Sequence, residues 1–309
     1  MKVFVTGGAG FIGKYLVKKL IEEDLEVTIF DNFSNSRKID LNQFSNKIKI
    51  ISGDITEYDD INNNLSGQDI VIHLAAKISV KDSIINPEKT FETNVHGTEN
   101  VLNACITNNV KKFIALSSAA VYGNNIDSKK LLNEKSIIIP ISPYGESKFK
   151  MEQVILNVSR KHKIKCIVLR LFNVYGKGQS NEYAGVITKF ESNIKNNQPL
   201  IIFGDGTQTR DFVSVDDIVN LINSIIFSKS EKDYVICNVG SGKSTSILEL
   251  ADLMIRLSKK VLKIIHVGKK EGDIMHSSTV IEKAKKEFGY IPQISLIEGL
   301  KRYLTSNNL

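Results

Sequence analysis

Only three cysteines occur in 309 residues, and Cys105, Cys166 and Cys237 lie far apart, each inside an apolar segment. That scarcity and spacing exclude a disulfide framework and a thiolate metal site, and predict buried thiols in a reducing cytoplasm. No metal-ligand set of any kind is expected. No apolar run approaches the ~18–20 residues needed to cross a bilayer, so no membrane partner is expected. The chain opens Met1-Lys2-Val3-Phe4-Val5-Thr6, directly into a strand pattern with no signal sequence ahead of it, which also predicts a cytoplasmic location. There is no strongly basic block and no basic–aromatic alternation. The 41 Lys and Arg are interspersed with 34 Asp and Glu, so the net charge of +7 reads as a solvated surface and not as a nucleic-acid footprint. A positive field of this kind suits an anionic small molecule. Internal repeats, low-complexity tracts and exposed linkers are also absent. A length of 309 residues with 42% hydrophobic content allows one large domain or two coupled lobes.

What is present begins with a short β-branched run, Lys2–Thr6, followed by Gly7-Gly8-Ala9-Gly10-Phe11-Ile12-Gly13 and a helical pattern through Tyr15, Leu16, Leu20 and Ile21. Strand, glycine turn and helix come in the order that a dinucleotide site requires. Glycines let the backbone turn tightly and approach a pyrophosphate, which then meets the helix N-terminus. A second strand, Glu26–Asp31, ends in an acid about 20 residues after the glycines. Asp31 there accepts both adenosine ribose hydroxyls and repels a 2′-phosphate, which favours NAD over NADP. Strands and helices then alternate, with strands at Ile48–Ser52, Asp69–Leu74, Lys111–Ser117 and Lys165–Leu171, and helices at about Glu88–Asn108 and Tyr144–His162. This alternation predicts an α/β fold with a doubly wound parallel sheet of the Rossmann type, whose ligands bind at the carboxyl ends of the strands. Later segments are less regular. A helix at Val186–Asn193, strands at Leu200–Phe203, Val235–Val239 and near Lys263–Val267, a helix near Leu248–Leu257 and two terminal helices predict a smaller C-terminal α/β lobe. The expected division is about 1–172 plus 211–240 for the dinucleotide domain, and about 173–210 plus 241–309 for the substrate lobe.

The chain is organised around Ser117–Lys148. Tyr144 and Lys148 are four apart on a helix and share one face. A free phenol, with a pKa near ~10, is a poor base at neutral pH. A fixed ammonium beside it, together with a cationic nicotinamide, favours the phenolate. Ser118, at the end of the preceding strand, is placed to hold the substrate oxygen that loses its proton. The expected chemistry couples proton transfer to hydride transfer.

These residues resemble the extended short-chain dehydrogenase/reductase family, and within it the nucleotide-sugar 4-epimerases of the UDP-galactose 4-epimerase kind. The resemblance covers essentially the whole chain. It is carried by Thr6–Gly13, Gly53-Asp54-Ile55, His73-Leu74-Ala75-Ala76, Asn94, Ser117–Gly123, Tyr144–Lys148, Arg170–Asn173 and Gly204–Phe212. It implies that NAD is held by Gly7, Gly10, Phe11, Ile12, Gly13, Asp31, Asn32, Asp54, Ile55, Leu74, Ala75, Ala76, Asn94, Ser117, Tyr144, Lys148 and Phe172. It implies that Tyr144 is the base for the sugar O4, that Lys148 lowers the Tyr144 pKa and holds the nicotinamide ribose, and that Ser118 hydrogen-bonds O4. The reaction implied is 4-epimerisation of a UDP-hexose through a transient 4-keto sugar. Lys77, Ser118, Asn173, Val186, Phe203, Arg210, Lys270, Asp273 and Ser277 are implied to line the UDP-sugar site, with Asn173 and Arg210 on the diphosphate and Phe203 near the uracil. UDP-glucuronate 4-epimerase, nucleotide-sugar 4,6-dehydratase and a non-catalytic NAD-binding sensor stay open as alternatives.

Two residues depart from the family pattern. Lys270 stands where an Arg usually precedes the Glu271-Gly272-Asp273 turn, and Val280 stands where an Asp is common. A Lys gives a point charge in place of a bidentate fork. Dehydratases and decarboxylases of the family resemble one another in carrying an acid just after the central Ser/Thr. The residues here are Ala119 and Ala120, which cannot transfer a proton. Four residues beyond Asp273 lies Ser277, a small side chain at a position that closes the sugar pocket in the family. Gly240-Ser241-Gly242-Lys243-Ser244-Thr245 imitates a phosphate loop but has Cys237 where the pattern needs its first Gly, so no nucleotide is expected there. A homodimer is expected, because family members pair the two long helices. Phe91, Val95, Val101, Leu102, Cys105, Met151, Val154, Ile155 and Val158 are expected to exceed what one sheet face needs to cover.

Overall fold

The computed structural model describes residues 1–44, 46–124, 131–179, 185–269 and 274–306. In chain order the first elements are β1 (Lys2–Thr6), α1 (Phe11–Glu22), β2 (Glu26–Asp31), β3 (Ile48–Ser52), α2 (Tyr58–Asn62) and β4 (Ile70–His73). They are followed by α3 (Val80–Ile85), α4 (Pro87–Phe91), α5 (Gly97–Thr107), β5 (Lys112–Ser118), α6 (Pro143–Lys161) and β6 (Lys165–Leu171). Next come β7 (Asn173–Tyr175), α7 (Val186–Lys195), β8 (Leu200–Phe203), β9 (Thr209–Arg210), β10 (Phe212–Ser214), α8 (Val215–Phe227) and β11 (Tyr234–Val239). The chain ends with β12 (Thr245–Ser246), α9 (Ile247–Ser258), β13 (Ile264–Val267), β14 (His276–Ser277), α10 (Glu282–Phe288) and α11 (Leu296–Ser306).

Seven strands form the central parallel sheet in the order β11-β6-β5-β4-β1-β2-β3. β1 pairs with β2 and with β4, so the chain reverses its winding direction at β1. Such a switch point opens a crevice at the carboxyl ends of the strands. All four residues of β4 are buried, as a strand covered by helices on both faces must be. Lys112 ties α8 to this sheet: its ammonium donates to the carbonyls of Ile225, Ile226 and Ser228 at 2.7, 2.8 and 3.1 Å, satisfying the helix's C-terminal acceptors.

The chain divides into two compact units. One comprises Met1–Val121, Pro140–Arg170 and Val219–Cys237, and the other Tyr122–Ile139, Leu171–Ile218 and Asn238–Leu309. The first has a core of Phe4, Val71, Val101, Phe113, Met151 and Ile155 among others. The second packs α7, α9 and α11 around Phe190, Leu250, Met254 and Leu300.

Three differences from the expectation have physical causes. The helix expected over Glu88–Asn108 is interrupted by a π-helical turn, Glu92–His96. There Asn94 O accepts the Thr98 hydroxyl at 2.8 Å, a side chain from the next turn standing in the widened ladder. The helix α8 was not legible, because Ser214 runs into Val215 with no glycine or proline to mark its start; its apolar face, with Val215, Ile218, Val219, Leu221, Ile222, Ile225 and Ile226, is buried. Finally, the apolar surplus assigned to a dimer interface is largely consumed within one chain. Val95, Val101, Leu102, Cys105, Met151 and Ile155 are buried, and Val154 and Val158 pack on the same core. Of the nine side chains, Phe91, Val154 and Val158 stay partly exposed.

Candidate functional site

The glycine turn is shaped by close backbone approaches. Gly7 has φ +67°, and a Cβ there would lie 2.6 Å from Ala75 N. A Cβ on Gly13 would lie 2.5 Å from Gly8 O. Side chains at either position would therefore separate β1 from the exit of β4 or α1 from its own turn. Gly10 is the N-cap of α1, with no side-chain cap and no acid in the first turn. Asp31 is buried and accepts from Ala9 N at 3.0 Å, Phe33 N at 2.8 Å and the Ser36 hydroxyl at 3.2 Å, so its carboxylate is locked beside the turn. Asn32 donates to Asp54 at 2.7 Å. Burial acts to raise Asp54, but hydrogen bonds from Thr56 N–H, Asn32 and the Thr56 hydroxyl, with the charge of Lys77, hold it below the ordinary carboxylate range. A glycine cradle that side chains would fill, an uncapped helix N-terminus and a hydrogen-bonded carboxylate at the end of β2 fit a dinucleotide with free ribose hydroxyls.

The π turn contributes Asn94, buried, whose amide brackets Lys77: Oδ1 accepts Lys77 N at 2.8 Å and Nδ2 donates to Lys77 O at 2.9 Å. Nδ2 also donates to Ser147 Oγ at 2.9 Å, and Ser147 Oγ donates to Tyr144 O at 2.8 Å. The exit of β4 is thus fastened to the first turns of α6. His73 takes no part in proton transfer. Its Nδ1 and Nε2 are engaged by Thr6 and Thr98 at 2.8 and 3.0 Å, and burial, with the Lys148 charge, pushes it down to about 3.

Ser118, Tyr144 and Lys148 converge. Helix α6 begins where Ser142 caps it, accepting from Gly145 N at 3.1 Å, with Pro143 in its first turn. A Cβ on Gly145 would lie 2.6 Å from Ala120 O, so the helix start lies directly on the turn after β5. In that contact the Ser118 side chain hydrogen-bonds the Tyr144 side chain. Lys148 reaches under the strand end, and its ammonium donates to Leu116 O at 2.8 Å. The expected lowering of the Tyr144 pKa is not found in the protein alone. Burial pushes the phenol up against a smaller opposing effect from Ser118, and burial pulls Lys148 down to about 8 against the charge of Glu152. The Lys148 ammonium lies on Leu116 O, and the effects acting on the phenol in the protein alone are burial and Ser118.

The second unit holds most of the expected sugar-nucleotide residues. Arg210 lies on β9, the middle strand of a β12-β9-β14 sheet, and pairs in register with Ser277. Ser277 is 7% exposed. Asn173 donates through its amide to Asp211 O at 3.3 Å. Phe203, 45% exposed, shares the outer face of the β8–β13 pair with Ile201, Ile265 and Val267. Val186 is the first residue of α7, and Phe172 is buried against Tyr122, with ring centroids 6.5 Å apart. Lys270 and Asp273 lie outside the described residues.

The phosphate-loop imitation has a different occupant. Asp211 is fully buried, and its carboxylate accepts from Ser241 N at 2.6 Å, the Ser241 hydroxyl at 2.7 Å and Gly242 N at 3.0 Å. A Cβ on Gly240 would lie 2.6 Å from Asp211 Oδ2. The loop is an anion nest filled by the chain's own carboxylate. Asp211→Asn should therefore lower the urea unfolding free energy by about 1–3 kcal/mol, because an amide N–H then faces donors that it cannot accept from. An unchanged unfolding midpoint would refute this account of the loop.

A Rossmann sheet, a glycine cradle with its acid, and Ser, Tyr and Lys gathered at the β5–α6 junction define a dinucleotide-dependent enzyme of the extended short-chain dehydrogenase/reductase class. A model of the NAD dependent epimerase/dehydratase family matches residues 3–240, and the chain belongs to that family. It is 38% identical over 312 residues to a putative UDP-glucose 4-epimerase of Methanocaldococcus jannaschii, covering 99% of each chain. It is similar to the crystal structure of UDP-glucose 4-epimerase with UDP-glucose from Thermotoga maritima, with TM-score 0.93 and 33% identity over 100% of this chain and 99% of that one. It is also similar to UDP-N-acetylglucosamine 4-epimerase from Methanobrevibacter ruminantium in complex with UDP-N-acetylmuramic acid, with TM-score 0.91 and 33% identity over 100% and 99%. The cofactor is NAD.

Proposed function

We propose that this protein is a UDP-hexose 4-epimerase. The observation that carries the reading is the Ser118–Tyr144–Lys148 arrangement at the end of β5, followed by Ala119 and Ala120 in place of an acid. Tyr144 takes the proton from the sugar O4, Ser118 holds that oxygen, and the Lys148 ammonium offsets the charge that develops on the phenol. NAD, when bound, supplies a reversible hydride acceptor, so that the sugar passes through its 4-keto form and regains hydride on the other face. With no acid at 119 or 120 to abstract a second proton, elimination to a 4,6-dehydratase product is disfavoured. The first compact unit holds NAD. The second holds the UDP-sugar, with Arg210 and Asn173 on the diphosphate and the exposed Phe203 ring for the uracil. The retained Tyr and Lys argue against a non-catalytic sensor.

The small side chain at Ser277 leaves room at the sugar 2-position, so both plain and N-acetylated UDP-hexoses are substrates. Conversion of UDP-glucose, UDP-galactose, UDP-N-acetylglucosamine and UDP-N-acetylgalactosamine, followed by proton NMR, tests this together with Ser277→Tyr. Overpacking costs ~1–3 kcal/mol, so the variant should lose ~5- to ~150-fold on the N-acetylated pair and less on the plain pair. A wild type inert towards N-acetylated sugars, or equal losses on both pairs, would sink the substrate assignment. No interconversion of any of the four would sink the reaction.

A further inference from the structure

Glu152 lies one turn beyond Lys148 on the same face of α6, and the sequence reading did not single it out. It is 1% exposed. Arg170 of β6, itself buried, forks onto it, Nε to Oε1 at 2.9 Å and Nη2 to Oε2 at 2.6 Å. Ser117 of β5 donates to Oε1 at 2.6 Å. Lys148 is 4% exposed, and its ammonium lies on Leu116 O, the residue before Ser117. Lys148 and Glu152 are thus fixed on Leu116 and Ser117, successive residues of β5, with Arg170 of β6 on the far side of Glu152, all out of water. An isolated buried ammonium loses its proton unless an opposite charge supports it.

The other groups facing this cluster do not provide that charge. On α6 Tyr144 is a neutral phenol, pushed up by burial. On β4 His73 is neutral and is itself held down partly by the Lys148 charge. On β11 Tyr234 is pushed up by burial and then by the Glu152 charge. On β6 Arg170 is cationic. The fork from Arg170 and the Ser117 hydroxyl hold the Glu152 carboxylate in one place.

We propose that Glu152, clamped by Arg170 and Ser117, is a positioning residue that keeps Lys148 protonated for the reaction. The proposal rests on the reading of Lys148 given above. Burial holds Lys148 at about 8 and the Glu152 charge opposes a further fall. Without that charge Lys148 turns neutral near physiological pH, and Tyr144 loses its support as pH rises.

The test follows Lys148 itself, by ¹³Cε NMR of lysine-labelled full-length protein with no added ligand, the signal being assigned with Lys148→Met. Glu152→Gln takes the carboxylate away from the buried Arg170 guanidinium, so the paired variant Glu152→Gln with Arg170→Gln is titrated as well. Lys148 should titrate about one pH unit below wild type in the single variant, and below wild type by less in the paired variant, which loses the Arg170 charge as well. The alkaline limb of the kcat profile should move down by the same interval, with turnover recovering at lower pH. A purely structural role would instead lower kcat evenly at all pH values. Unchanged Lys148 midpoints in the two variants would overturn the proposal. Absence of turnover in the wild type would remove the epimerase reading and leave the titration to decide this one.

Discussion

Tyr144→Phe should keep the fold and the bound NAD and lose at least ~10² in 4-epimerisation turnover, because a positioned general base contributes 10²–10⁴-fold. The fold is insulated from this change. The backbone N–H of Tyr144 donates to Ser83 Oγ at 3.1 Å, the helix start is capped by Ser142, and Ser118 Oγ still accepts Ala120 N at 3.1 Å. Only the phenolic oxygen is removed. In the ligand-free protein the order of titration is the reverse of what a phenolate–ammonium pair needs: the phenol is raised and Lys148 sits at about 8. Raising the pH therefore discharges Lys148 before it ionises Tyr144, and the reactive pair is reached only with cofactor and substrate bound. Steady-state rates and the 260/280 nm absorbance ratio of the purified variant check both halves. Turnover near wild type would remove Tyr144 from the mechanism, and loss of NAD together with activity would make it a cofactor ligand first.

How much of this was legible in the sequence depended on how local the signal was. The glycine turn, Asp31, and the Tyr144–Lys148 spacing lie within single elements or consecutive ones, so period and order identify them. The strand β8 falls exactly on Leu200–Phe203 for the same reason: a short apolar run closed by Gly204. What was missed lies between elements distant in sequence. Ser83 reaching Tyr144 N spans 61 residues, and Arg170 closing on Glu152 joins a strand to a helix. Glu152 alone had a usable signal, its i+4 position after Lys148, but an acid on a helix reads as solvated until the strand opposite supplies its Arg. The Gly240–Thr245 loop shows the opposite case. Its pattern for holding an anion was real, and only the tertiary structure reveals that the anion is Asp211.

Gly10→Val should abolish tight NAD binding while leaving the ligand-free fold nearly as stable as wild type. Gly7, Gly10 and Gly13 of the turn differ in what they do. At Gly7 and Gly13 an added Cβ meets backbone at 2.6 and 2.5 Å, and Gly7 also needs its positive φ. Those two are glycines for the sake of the fold. Gly10 has φ −70° and ψ −178°, ordinary extended backbone, and its added Cβ would meet only Gly7 O, at 3.2 Å. A shift of a few tenths of an ångström accommodates that contact, so the fold alone does not demand glycine there. What demands it is an approaching ligand, since Gly10 is the N-cap whose following N–H groups have no side-chain partner. A branched side chain at this point stands where the pyrophosphate must come closest. Losing two charge-assisted hydrogen bonds at ~1.5–3 kcal/mol each corresponds to at least ~10² in affinity. Calorimetric titration with NAD and urea unfolding without it separate the outcomes. Retained NAD affinity would refute the placement of the pyrophosphate. A collapsed unfolding midpoint in the ligand-free variant would show that Gly10, like Gly7 and Gly13, is glycine because the fold requires it.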